Sequence, residues 1–157
     1  MSEQVKILFS FHSNIFDEQM VETVWANKVD KEKEYYKIDN IPFYIPLVAS
    51  EDIVFAEFDE TEQMLTYIKT IEYSGRTVVQ VVIMDKTTQT NIIRDMFFEL
   101  GCESEKANEG YFSMEIPANL DYKPIKKELD RLENAEIIGY AEPTISDKHR
   151  NEGYSCE

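Results

Sequence analysis

The groups with which this chain could do chemistry are carboxylates. Glu22, Asp39 and Asp52 stand near aromatic residues, and with Trp25, Tyr36 and Phe43 they make a candidate pocket. Apolar neighbours that exclude water raise a carboxyl group's pKa and suit it to general acid or base work. The same residues also admit a structural reading, in which Asp39 and Asn40 tie the turn before Pro42 and Glu22 bonds that loop or water. Other constellations are thin. The two histidines are His12, at a strand end, and His149, in a polar tail, and nothing positions a nucleophile beside either. Cys102 follows a helix C-terminus, where the dipole disfavours a thiolate, so it reads as a buried structural thiol. Cys102 and Cys156 are far apart and form neither a disulfide framework nor a metal knuckle. Zinc has too few soft ligands, and there is no Gly-rich phosphate loop, dinucleotide fingerprint or calcium loop. The expectation is a non-enzymatic protein with no catalytic residue, no metal and no cofactor.

Charge is the unusual bulk property. Asp and Glu number 31 against 16 Lys and Arg, a formal net charge of -15. Such a field repels nucleic acid and anionic lipid and steers basic partners, although solubility alone accounts for part of it. Asp59, Glu60 and Glu62 crowd one turn; Glu99, Glu103, Glu105 and Glu109 surround another. A carboxylate rim around aromatic anchors suits capture of a basic protein. No window approaches the roughly 20 apolar residues of a membrane span. The N-terminus lacks a basic segment followed by an apolar run, so a cytoplasmic, reducing location is expected.

Alternation of apolar residues predicts strands over 5–11, 20–29, 34–38, 53–58 and 64–73, with a charged turn at 30–33. Trp25 is expected to be seated in the core by the aromatic stretch Tyr36 to Tyr44. Ser74-Gly75 reads as a two-residue turn leading into the most buried strand, 77–84. The period then changes. Thr87 or Thr88 caps a helix whose apolar face is Ile92, Ile93, Met96, Phe97 and Leu100, and Gly101 ends it. A hairpin over 102–116 follows, then a helix capped by Asp121 with the stripe Ile125, Leu129 and Leu132, then a strand over 136–140. The predicted class is α+β: a small β-barrel-like half over 1–75, joined by a shared hairpin to a ferredoxin-like (βαββαβ) sandwich over 76–145. Residues 146–157 read as a flexible polar tail.

Several short motifs occur in a fixed order: Glu22-x-x-Trp25-Ala26, Asp39-Asn40-x-Pro42-Phe43, Asp52-x-Val54-x-Ala56, Ser74-Gly75-x-Thr77 and Leu100-Gly101-Cys102. Together they resemble a bacterial family known as domain of unknown function 4265, over roughly residues 5 to 142. Arg76 departs from the small polar residue or His that the resemblance implies there. The resemblance implies no activity and no catalytic residue. Two functional expectations remain. One is a protein-binding module, most concretely an acidic immunity protein neutralising a basic bacterial toxin. The other is a small-ligand-binding or regulatory protein with a pocket between the two halves. The oligomeric state is open.

Overall fold

In the computed structural model, which describes residues 4–13, 17–30 and 32–153, the chain is α+β and divides into two compact units, Met1–Ser74 and Gly75–Glu157. The first unit contains β1 (Gln4–Ser13), β2 (Glu18–Asp30), β3 (Tyr35–Ile38), β4 (Ile53–Asp59) and β5 (Met64–Glu72). They form a closed sheet in sequence order. Neighbours are antiparallel except at the seam, where Ile7 and Leu8 of β1 meet Leu65 and Thr66 of β5 in parallel. Register shifts at Lys28/Asp30, Ile53/Val54 and Phe55/Ala56 supply the local bending that closure needs.

Successive side chains of a strand point to opposite faces, and that alternation fills the interior with Ile7, Phe9, Val24, Ala26, Tyr36, Ile38, Val54 and Ala56. Ile45 and Val48, from the connection between β3 and β4, complete the cluster. With Val24 and Ala26 inside, Trp25 must point out. It is 44% exposed, with Lys6 Nζ 5.0 Å from the ring centroid. The core position expected for Trp25 is therefore corrected, and pleat parity is the reason.

The second unit runs β6 (Thr77–Ile83), α1 (Thr90–Glu99), β7 (Glu103–Asn108), β8 (Tyr111–Ile116), α2 (Lys123–Asn134), β9 (Ile138–Thr144) and α3 (Asp147–Gly153). Its antiparallel sheet has the order β7-β8-β6-β9. Val79, Val81, Phe112, Met114, Ile116 and Ile138 of the sheet share one core with Ile93 and Phe97 of α1 and Ile125, Leu129 and Leu132 of α2. Tyr122, just before α2, is fully buried there and was not anticipated.

Three further expectations need correction. Ser74-Gly75 is not the turn of a hairpin: β5 and β6 belong to different sheets and do not pair. The Ser74 amide instead donates to Asp52 Oδ1 at 2.8 Å, which takes the chain off the β5 ladder. Thr87 and Thr88 do not cap α1. Both hydroxyls donate to the Asp85 carboxylate, at 2.7 and 2.9 Å, and the helix begins two residues later, after Gln89. Finally, the polar tail is in part a helix. His149 of α3 is fully buried, with Nδ1 2.7 Å from Thr77 Oγ1 and Nε2 3.0 Å from the Leu120 carbonyl oxygen. A lone polar stretch gives no packing signal, but this imidazole finds two partners on other elements. The rest of the expected tail, 154–157, lies outside the described residues.

Phe112→Ala, at a fully buried position, should cost about 3–5 kcal/mol, whereas Trp25→Ala should cost about 1 kcal/mol or less, read as shifts of denaturant midpoint. Burial lowers the His149 pKa from its ordinary 6.5, so the native state favours the neutral ring. That stabilisation is complete above the unfolded value and is lost as pH falls below it. Limited proteolysis within α3 should therefore quicken between about pH 7 and about pH 5, and His149→Gln should abolish the pH dependence.

Candidate protein-interaction surface

Two carboxylates of the candidate pocket hold backbone. Glu22 on β2 accepts three consecutive amides, from Phe43 at 2.8 Å, Tyr44 at 2.9 Å and Ile45 at 3.0 Å. Asp52 is buried and accepts from Ala49 at 3.0 Å and Ser74 at 2.8 Å. Burial raises the Asp52 pKa, opposed by those amides. Asp39 is exposed; its carboxylate accepts from Gln4, and its amide donates to the Trp25 carbonyl. Tyr36 is buried and donates its hydroxyl to Glu34 at 2.7 Å, while Phe43 is half-buried beside Tyr44. Glu22, Asp52 and the bond from the Asp39 amide to Trp25 thus secure the connection 39–52, which has no regular structure and carries Leu47 and Glu51 at positive φ.

The other reactive groups are equally occupied. Burial pushes the Cys102 thiol up to about 12. His12 is exposed and lies 3.1 Å from Asp17. Among the described residues, no three His, Cys, Asp or Glu side chains gather as a metal site, and no helix is long and apolar enough to cross a membrane.

The acidic turns split into members that brace structure and members that face solvent. Asp59 caps its own turn by accepting from Thr61 and Glu62 at 2.8 and 3.1 Å. Glu109 accepts from Thr90 Oγ1 at 3.0 Å and Lys106 Nζ at 2.9 Å. Glu103 lies 3.5 Å from Arg76, which also reaches the fully buried Glu115 at 3.4 Å. Arg76, the departure from the family pattern, thus answers a buried carboxylate. Glu60, Glu62 and Glu105 are exposed. The turn at 59–62 lies in the first unit and the carboxylates at 99–109 lie in the second.

Beside the second cluster is a feature the sequence reading missed. A groove of about 420 Å³ is lined by Asn91, Arg94, Asp95 and Phe98 of α1 and by Glu103 and Ser104 of β7. The four helical residues follow the i, i+3, i+4, i+7 spacing of one helix face. That stripe is legible in the sequence, but mixed in polarity, so it was passed over for the apolar one. The apolar face expected for α1 is narrower than its composition suggests: Ile93 and Phe97 are buried, whereas Ile92 and Leu100 are exposed. Phe98, outside that face, is 70% exposed. Arg94 is held by Asn91 Oδ1 at 3.0 Å, Ser104 Oγ at 2.9 Å and the Ser104 carbonyl oxygen at 3.2 Å. Asp95, and Glu99 one turn further along α1, are exposed, as is Glu105 on β7. None of these three forms an ion pair with another described residue. This side of the second unit thus presents an exposed aromatic ring and several carboxylates without an ion-pair partner among the described residues.

The fold is shared with a crystal structure described as that of a hypothetical protein from Neisseria gonorrhoeae, with a TM-score of 0.79 and 24% sequence identity over 92% of this chain and 96% of that one. At that identity the likeness concerns the fold alone. Comparison with curated proteins gives no match. The family model described as Domain of unknown function (DUF4265) matches residues 22–140, and the chain belongs to that family.

Because native Asp52 holds its proton more tightly than the unfolded chain does, ionisation costs the folded state. Its contribution should weaken as pH rises from the ordinary 3.8 through the raised value, then level off. Asp52→Asn should remove this slope and lower the baseline by about 1–3 kcal/mol, because the new amide cannot accept from both Ala49 and Ser74. Urea midpoints at acid and neutral pH would show both effects.

Proposed function

We propose that the chain is a non-enzymatic protein-binding module that captures a basic protein, in its most concrete form an immunity protein neutralising a basic bacterial toxin. The observation that carries this reading is Phe98, an exposed aromatic anchor that lines a groove together with Asp95. Glu99 is next to it in the chain, Glu105 is exposed on the other face of β7, and no cation is paired to these carboxylates among the described residues. The net charge of -15 adds long-range attraction, which speeds association with a cation-rich surface. Several groups first weighed for catalysis are occupied otherwise: Glu22 and Asp52 by backbone amides, Cys102 by burial, His149 by Thr77 and Leu120. In this reading the closed first sheet is a small barrel. The second unit is a ferredoxin-like sandwich, supported by its strand order and by the helix in each of its two crossovers.

The test is association with the products of neighbouring genes and with model basic proteins. Reversing Asp95, Glu99 and Glu105 to Lys should slow association about tenfold or more at low salt, flatten its salt dependence and leave the circular dichroism spectrum unchanged. Reversing Glu60 and Glu62 should have a smaller effect. Binding indifferent to salt and to the first reversal would overturn the reading. A metabolite retained in a native mass spectrum would favour small-ligand binding instead.

A further inference from the structure

β7 has a strand neighbour on one side only. It pairs with β8, and no described strand borders its other edge. An uncovered edge is a template for another strand, and proteins usually blunt it with charge or cover it. Here the blunting comes from Arg94, which reaches across from α1 to bond both the hydroxyl and the carbonyl of Ser104. Beside that edge the helix stands back and leaves the groove.

Building on the basic-partner reading, we infer that an extended segment of the partner occupies this groove as a strand added to β7. The pleat then specifies the segment. Ser104 and Lys106 lie opposite Met114 and Phe112, on the face packed beneath the helices; Glu103 and Glu105 lie opposite Glu115 and Ser113, on the other face. A strand laid alongside alternates in the same way. Its side chains on the helical face meet the Phe98 ring, and those on the other face meet Glu103 and Glu105. The recognised sequence therefore alternates apolar residues with Lys or Arg. Arg94 is the group displaced, because its hold on Ser104 occupies the edge that an incoming amide needs. Until displaced, it keeps β7 closed to unselected strands, including a second copy of this chain.

The probe is a six-residue peptide of alternating valine and lysine, matched to the length of β7 and mixed with the full-length protein. Its binding should slow amide hydrogen exchange within β7. Methylating the backbone nitrogens on its pairing edge, which keeps every charge, should weaken binding about tenfold or more. Arg94→Ala should tighten binding several-fold, and unchanged or weaker binding would overturn the role given to Arg94. Equal affinity of the methylated peptide would overturn strand addition. If Asp95→Lys and Glu105→Lys still weakened that binding, capture of basic partners would stand without it. Insensitivity to both methylation and charge reversal would overturn both readings.

Discussion

The second unit depends on the burial of β8 on both faces. Every residue from Phe112 to Ile116 is buried, including Ser113 and Glu115, and the strand pairs with β6 on one side and β7 on the other. A strand this enclosed has its backbone polar groups satisfied by two ladders, and its own removal would orphan both. The cost passes outward to β7, which inherits one satisfied edge and one open one. Glu115 shows the same economy: a carboxylate this deep needs a cation, and Arg76 supplies one at 3.4 Å while also reaching Glu103 on β7. Burial at the centre thus sets the chemistry of the edge.

The first unit solves a different problem. Its five strands close on themselves, and the connection between β3 and β4 sends Ile45 and Val48 into the core they enclose. A segment without regular structure must find partners for its amides elsewhere. Glu22 receives three in a row, and Asp52 receives two, one from nearby Ala49 and one from Ser74, 22 residues on. The carboxylates that looked most chemical in the sequence are those that the backbone recruited. A buried carboxylate flanked by aromatics has the same appearance whether it waits for a substrate or already serves an amide, and only coordinates separate the two.

Much of the architecture was legible because it follows from period. Alternation located the strands, and the change at Thr87 marked the passage to helices. The stripe Ile125, Leu129 and Leu132 is the observed buried face of α2. What escaped was set by pairing between residues remote in sequence. Trp25 is large and apolar, which favours the interior, but its parity relative to Val24 and Ala26 overrides its chemistry. Ser74-Gly75 has turn composition, yet Asp52, 22 residues earlier, claims the amide. His149 gives no hint of burial until Thr77 and Leu120 stand beside it. The groove was hidden for a related reason. Its helical wall shows a regular spacing, but its other wall belongs to a strand chosen by β8.

Along the chain, the two walls of the groove are separated by only residues 100–102. Leu100, Gly101 and Cys102 return their amides to the carbonyls of Phe97, Phe98 and Phe97, so the link continues the last turn of the helix. Gly101 sits at φ +102°, and a Cβ there would stand 3.1 Å from Leu120. A side chain at this position would be strained by the positive φ and would crowd Leu120. A three-residue link tied into the helix end limits how far α1 and β7 can part, closer to a caliper than to a hand. Should the groove take a strand as proposed, selectivity would come from refusing chains of the wrong thickness, and the partner would adapt its own shape to the gauge.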